Sequence, residues 1–214
     1  KEDTENFLVD LDFLDIENVM ALRGDAVKSE TYFKPEKEGN AYASDLIAQI
    51  EDLNNGNYLD EELLNSSHTD FCIGAAGYPE KHMEAPSLES DIHFLKKKIK
   101  NGATYIVTQM FFDNKKFFEF VDLCRAEGIN VPIIPGLKPL ATKKQMTILP
   151  SVFHIDIPEI LADAAYVIFN RDAKECTGNF FVDDILLASE GITDLEKYSV
   201  TPGTKDFLLD FFLD

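Results

Sequence analysis

The chain predicts an α/β fold: a partial (βα)₈ TIM-barrel-like parallel β/α array with a small α/β appendage at its carboxyl end. Three observations carry this expectation. Short apolar runs recur at residues 17–22 (ENVMAL), 71–76 (FCIGAA), 104–110 (TYIVTQM) and 131–136 (VPIIPG), each too uniformly apolar to alternate, as strands covered on both faces of a parallel sheet are. Between them lie segments with helical periodicity and capping signals. Polar residues gather just after the strands, on the side of a βα unit where ligands bind.

The elements follow in order. The first run ends in Arg23-Gly24-Asp25, a strand closed by a tight turn. A polar loop with Pro35 and Gly39 leads to Ser44, expected to cap a helix through about Leu53, with Leu46, Ile50 and Leu53 on one face and Asn54-Asn55-Gly56 as its stop. The second strand is followed by a helix capped by Ser87, with Ile92, Leu95 and Ile99 inward and Gly102 at C′. After the third strand, Asp113 opens a helix with Phe117, Val121 and Cys124 inward, stopped by Gly128. The fourth strand precedes a short helix at about 143–149. Beyond Pro158 an amphipathic helix is expected at 160–169, a strand at 178–183 (GNFFVD), and then a loop-rich acidic tail. The tail's apolar cluster at 207–213 has the composition of a docking segment. This divides the chain into residues 1–158, four βα units, and 159–214, the appendage. An open doubly wound sheet fits the same periodicity, but no GxGxxG or GxxxxGK[ST] follows any strand, which weakens a dinucleotide-binding Rossmann reading.

Composition bounds the partners. The 214 residues are 45 % hydrophobic and 28 % charged with a formal charge of −19, which disfavours nucleic acid and anionic membranes, since phosphate recognition needs a basic surface. No apolar run approaches a membrane span. Cys72, Cys124 and Cys176 are widely spaced with no CxxC pair, and no histidine pair stands at ligand spacing; reduced thiols in a cytoplasmic protein without a metal site are expected.

The candidate site is read from residue type and position. Asp91 and Lys98 are seven apart, hence on one helix face, with Lys97 adjacent, an arrangement suited to a pyrophosphate; a solvated face at 96–98 is the alternative. Gln109 lies inside an apolar strand, where a polar group needs a partner. Without further context, Arg23-Gly24-Asp25 is an ordinary turn and Tyr78-Pro79 a loop anchor.

Taken in order, 21–25 (ALRGD), 42–46 (YASDL), 76–80 (AGYPE) with His82 and Glu84-Ala85, 108–113 (TQMFFD), and 133–136 (IIPG) with Gln145 resemble the methylenetetrahydrofolate reductases over about residues 17–158. That resemblance implies a (βα)₈ barrel holding FAD at the carboxyl ends of its strands. It implies a hydride passing from NAD(P)H through flavin to 5,10-methylenetetrahydrofolate, giving 5-methyltetrahydrofolate. Arg23, Gly24 and Asp25 then lie beside the flavin and ribityl chain, with Asp25 the catalytic carboxylate that tunes the flavin and meets the folate. Tyr42, Ala43 and Tyr78 contact the cofactor; His82, Asp91, Lys97 and Lys98 hold its adenosine and pyrophosphate; Gln109 and Gln145 hydrogen-bond the folate. The family's Phe-Phe-Pro-Pro-like run, its proton-donating glutamate and its last strand with the substrate arginine have no counterpart here. Phe94 stands at a usually polar position, and Lys97 where arginine is common. The residues begin at what corresponds to the fourth strand, so a homo-oligomer or a partner chain is expected to complete the barrel.

Residues 162–184 (ADAAYVIFNRDAKECTGNFFVDD), 191–206 and 210–214 resemble instead the carboxyl end of short-chain dehydrogenases/reductases. Neither Tyr166 nor Tyr198 has the lysine four positions on that such enzymes require. A catalytically incomplete flavin- and folate-binding module, and a short-chain dehydrogenase relative, are therefore the two alternatives to a reductase.

Overall fold

The computed structural model describes residues 1–26, 30, 33–176, 179 and 181–199. They form two compact units: residues 1–109 with 120–136, and residues 110–119 with those described from 137 onward.

The first unit is built on a sheet of β1 (Asn18–Ala21), β2 (Cys72–Gly77), β3 (Tyr105–Met110) and β4 (Ile133–Gly136), in the order β1-β2-β3-β4. β1 and β2 run parallel with Asn18 opposite Cys72, and β2 and β3 run parallel with Gly74 opposite Tyr105. Consecutive strands are therefore neighbours throughout. A doubly wound sheet reverses its order at a switch point; this one does not, and it progresses as successive strands of a barrel do. Among the described residues β1 and β4 are the sheet edges.

The helices are α1 (Glu2–Phe13), α2 (Ala43–Asn54), α3 (Leu88–Lys100) and α4 (Asn114–Ala126). Ile47, Ile50 and Leu53 of α2 and Ile92 and Leu95 of α3 bury against Ile73, Ala75 and Ile106 of the sheet, with Phe120 and Cys124 of α4 completing the core. Alternation along the strands therefore turns Gly74 and Ala76 of β2, and Tyr105, Val107 and Gln109 of β3, to the face away from these helices. Gly74 makes room there: a Cβ would stand 2.5 Å from the Tyr105 ring. The same alternation puts Cys72 on that face, half-buried with Sγ 3.3 Å from Thr104 Oγ1, whereas Cys124 is fully buried and its thiol is pushed up to about 11 by desolvation. All three cysteines are free thiols.

Local signals explain the boundaries. Ser87 Oγ accepts the Ser90 N–H at 3.2 Å, capping α3 as expected, and Gly102 takes φ +121° just beyond its end. Asp113 Oδ1 accepts the Lys115 N–H at 2.9 Å. The cap of α2 is a correction: the helix starts at Ala43 after Tyr42, whose N–H is accepted by Asp45 Oδ2 at 3.0 Å, and Ser44 is buried in the first turn. The carboxylate three residues into the helix replaces the expected serine hydroxyl as the local partner. At the other end, Asn54 Oδ1 accepts from Thr69 Oγ1 and the Phe71 N–H, both at 2.8 Å, tying the helix end to the entry of β2. Helix α1 was not anticipated. Its acidic first turn (Glu2, Asp3, Glu5) suits a helix N-terminus, and Leu8 and Leu11, three apart, reach the core.

In the second unit, α5 (Gln145–Phe153) starts two residues later than expected and continues through Pro150. α6 (Glu159–Asn170) matches the expected amphipathic helix, followed by α7 (Ala173–Cys176) and α8 (Asp183–Ser189). Ala164, Leu186 and Leu187 form its core with Ile160, Val167 and Phe181 around them. Tyr198 OH donates to Asp163 Oδ2 at 2.6 Å, fastening the short 3₁₀ turn Glu196–Tyr198 to α6. Residues 178 and 180 of the expected strand at 178–183 lie outside the described residues; Asp183, its last, instead begins α8, where Asp183 and Asp184 complement the helix N-terminus. The apolar cluster at 207–213 also lies outside them. No helix among the described residues is long and apolar enough to cross a membrane.

Candidate functional site

The segments that leave β1 and β2 at their carboxyl ends meet. Arg23, two residues past β1, forms a forked pair with Glu84: Nη1 donates to Oε2 at 2.8 Å and Nη2 to Oε1 at 2.7 Å. The guanidinium also lies 5.1 Å from the centroid of the Phe33 ring. Paired in this way, Glu84 titrates below the ordinary carboxylate range, and Arg23 is held protonated more firmly still.

The loop after β2 is braced from several sides. Lys81 takes φ 76°, its N–H reaching Tyr78 O at 3.1 Å while its ammonium donates to the carbonyls of His82 and Ala85 at 3.1 and 2.7 Å. The His82 N–H is accepted by Asp91 Oδ2 at 2.8 Å, fixing the loop to the first turn of α3. His82 Nδ1 accepts the Glu84 N–H at 3.1 Å, so the neutral ring carries its proton on Nε2. Tyr78 meets His82 edge to face, with centroids 4.6 Å apart. Lys98, seven residues and about two turns beyond Asp91 on α3, approaches β2, where its ammonium donates to Ala76 O at 2.9 Å and lies 5.9 Å from the Tyr78 centroid.

The structure thus brings together Arg23, Tyr78, His82, Asp91 and Lys98, all expected from the sequence. Asp25 is exposed two residues beyond Arg23, close enough for its charge to act on both Arg23 and Tyr78. Burial raises the Tyr78 hydroxyl above its ordinary pKa and lowers that of the Lys98 ammonium. Lys98 has no carboxylate within ion-pair distance among the described residues; its hydrogen-bond partner is a neutral carbonyl. Cations so placed are matched to an anionic ligand.

The other expected residues lie on α3, at the start of α2, in the turn after β1, on β3 and at the start of α5. Lys97 is exposed in the last turn of α3, where a cation complements the helix dipole. Tyr42 is 61 % exposed at the N-cap of α2, Ala43 opens that helix, and Gly24 is exposed in the turn after β1. Gln109 is half-buried on the sheet face away from the helices. Gln145 belongs to the second unit, where its Oε1 accepts the N–H groups of Ala141 and Thr142 at 2.7 and 2.9 Å. Sequence reasoning missed the roles of Glu84, Lys81 and Phe33. Glu84 stands in the motif that ends in Glu84-Ala85, but its partner lies 61 positions away. Among the described residues no group of three His, Cys, Asp or Glu side chains could hold a metal.

His82 makes the loop sensitive to pH. Desolvation lowers its folded pKa, so in the range just below the ordinary value of about 6.5 the unfolded chain takes up a proton that the folded ring refuses. Stability contributed by the neutral ring is then lost as pH falls through that range. Thermal unfolding between about pH 5 and 7 is expected to show a rise in stability with pH, and His82→Gln to flatten it; an unchanged slope in the variant would assign the effect to other groups.

These features define a class: a parallel α/β protein with an anion-suited polar cluster at the carboxyl ends of adjacent strands. The profile of the methylenetetrahydrofolate reductases matches residues 1–195, and the chain belongs to that family. The match takes in most of the segment from 159 onward. Methylenetetrahydrofolate reductase 1 of Schizosaccharomyces pombe is 36 % identical over 188 residues, covering 86 % of this chain and 28 % of that protein. The 5,10-methylenetetrahydrofolate reductase of Escherichia coli is 33 % identical over 189 residues, covering 86 % and 56 %. The chain therefore spans about half or less of the length of these relatives. An uncharacterized protein from Clostridium thermocellum that binds two copies of 5-methyl-5,6,7,8-tetrahydrofolic acid superposes with a TM-score of 0.43 at 19 % identity, over 71 % of this chain and 50 % of that one.

Proposed function

We propose that the chain carries the cofactor-holding part of an FAD-dependent methylenetetrahydrofolate reductase. The net reaction adds a hydride from NAD(P)H and a proton to 5,10-methylenetetrahydrofolate, giving 5-methyltetrahydrofolate. The observation that carries this reading is the cluster of Arg23, Tyr78, His82, Asp91 and Lys98 at the ends of β1 and β2, in a chain of this family. When bound, FAD supplies the two-electron carrier chemistry between nicotinamide and folate.

The residues present fit that group. Lys98 offers a half-buried ammonium bonded only to a neutral carbonyl, which a pyrophosphate oxygen would match better. His82 offers Nε2–H as a neutral donor, with Nδ1 already occupied. Asp91 holds His82 through its backbone and so fixes the loop that presents it. Tyr78 supplies an aromatic wall, and Arg23 adds donors beyond the two its carboxylate uses. Tyr42, Ala43, Gly24 and Lys97 belong to the same proposal as outlying cofactor contacts. Asp25 places a negative charge beside the cluster and is assigned the catalytic role; Gln109 and Gln145 are assigned to folate. Residues 1–158 would hold these groups and 159–214 would form the appendage. A cytoplasmic location is part of the same proposal.

The test is anaerobic: reduced nicotinamide should bleach the bound flavin, and 5,10-methylenetetrahydrofolate should restore it. Asp25→Ala is expected to slow the folate-dependent step roughly tenfold, a loss of about 1.4 kcal/mol of transition-state stabilisation. Unchanged reoxidation in that variant would remove Asp25 from the assignment. A second reading, a binding module that needs a homo-oligomer or partner chain to complete the barrel, is supported by β1 and β4 being sheet edges among the described residues. It predicts flavin binding without nicotinamide-driven bleaching.

A further inference from the structure

We infer that Glu84 is a positioning residue for the cofactor site, acting through Arg23: it fixes the plane of the guanidinium and leaves a defined subset of its N–H groups for ligand. The inference rests on the FAD reading above. A guanidinium carries five N–H donors in a rigid fork. The two bonds to Glu84 use one hydrogen on each terminal nitrogen, so the remaining donors are Nε–H and one outward hydrogen on each of Nη1 and Nη2. Arg23 has a flexible stem, and its place past the strand end would otherwise allow many rotamers. The forked bonds to Glu84 and the Phe33 ring, whose centroid is 5.1 Å from the guanidinium carbon, restrict it.

Glu84 can do this because its own position is determined. Its N–H is held by His82 Nδ1 at 3.1 Å, the following Ala85 N–H reaches His82 O at 3.0 Å, and the His82 N–H is held by Asp91 at 2.8 Å. Lys81 closes the same turn by donating to the carbonyls of His82 and Ala85. A continuous path of hydrogen bonds thus runs from Asp91 on α3, through His82 and Glu84, to Arg23 beyond β1. Two elements that contribute to the cofactor site are set relative to one another by one carboxylate. The side chain of Glu84 is 45 % exposed and that of Arg23 19 %, so solvent partly screens the pair; its effect on the site lies in orientation, where a preorganised group gains affinity by losing less freedom on binding.

The test is a double-mutant cycle on the intact protein, read as the dissociation constant for FAD from quenching of flavin fluorescence. Glu84→Gln keeps the size of the side chain and removes the forked charge pair; Arg23→Ala removes the group it acts on. Glu84→Gln alone is expected to weaken FAD binding roughly tenfold, and Arg23→Ala at least as much. In the Arg23→Ala background, Glu84→Gln should change the constant by less than about twofold, because its target is gone. Equal weakening by Glu84→Gln in both backgrounds would overturn the inference, showing that Glu84 acts independently of Arg23. No weakening in either would overturn it as well. If the wild-type protein takes up no FAD, the functional reading fails and this inference fails with it; tight wild-type binding with an additive cycle sinks the inference alone. Unfolding midpoints of the apoproteins separate a collapsed loop from a lost orientation: a Glu84→Gln midpoint far below wild type would overturn the positioning role in favour of a structural one.

Discussion

Replacing Lys98 with methionine should weaken FAD binding roughly 10- to 100-fold while leaving the fold intact. The expectation follows from the environment of the ammonium. It is half-buried, its pKa is lowered by desolvation, and it donates to the neutral carbonyl of Ala76 beside the Tyr78 ring. A charge held this way is poorly compensated by the protein alone, and an anionic ligand oxygen would compensate it. A hydrogen bond to a charged partner contributes about 1.5–3 kcal/mol, and each 1.4 kcal/mol is tenfold in affinity. Methionine preserves most of the aliphatic stem, so packing along α3 survives. Relief of the buried charge offsets the lost bond to Ala76, and apoprotein stability should stay within about 1 kcal/mol of wild type. Titration with FAD and urea unfolding of the apoprotein check the two halves separately. Unchanged FAD affinity would mean that Lys98 serves only the loop.

Gly136→Ala should cost about 3 kcal/mol of stability, near the upper end for overpacking a close contact. A Cβ at Gly136 would stand 2.0 Å from the carbonyl oxygen of Thr108 and 3.1 Å from its carbonyl carbon. Both are main-chain atoms of β3, and no rotamer change can move them. The strands would have to separate where the Gly136 N–H now donates to Thr108 Oγ1 at 3.0 Å. For a chain of this size each kcal/mol corresponds to about 2–4 °C in Tm, so a fall of roughly 6–12 °C is expected. Gly128→Ala is the contrast. Nothing lies within 4 Å of its added Cβ, and only its φ of +78° resists the change, at about 1–2 kcal/mol. Equal losses in the two variants would show that β4 does not approach β3 as closely as described.

The sheet was legible in the sequence because its strands are apolar on both faces and its turns are marked by residues with one strong conformational use, such as Gly102 and Ser87. What periodicity left open was the choice between a doubly wound sheet and a barrel progression. That choice depends on strand order, a relation between segments that no local pattern encodes; the unbroken order β1 to β4 is that of a barrel progression and agrees with the family match. Helix α1 escaped notice because its acidic residues, Glu2, Asp3, Glu5, Asp10 and Asp12, run along its whole length and resemble a solvated tail. The cap of α2 was misplaced because the serine is the usual signal, whereas here Asp45 takes the role from inside the helix.

The candidate site was legible where spacing within one helix fixes geometry: Asp91 and Lys98, seven residues apart, both turn toward the loop after β2. It was illegible where partners are distant in sequence. Arg23 and Glu84 are 61 positions apart, and their pairing emerges only once β1 lies beside β2. Gln145 was assigned from resemblance alone, and its carbonyl oxygen is occupied by the backbone of Ala141 and Thr142, which leaves its amide hydrogens for any ligand.

The most direct test is the visible absorption spectrum of the purified, desalted protein, followed by titration with FAD where the protein emerges without colour. Uptake of about one flavin per chain, with its bands shifted from those of free FAD, is the predicted result, since the cluster at the ends of β1 and β2 combines a half-buried cation bonded to a neutral carbonyl, a neutral histidine donor and an aromatic wall. A protein that is colourless and takes up no FAD, while folded by its thermal transition, would contradict the account.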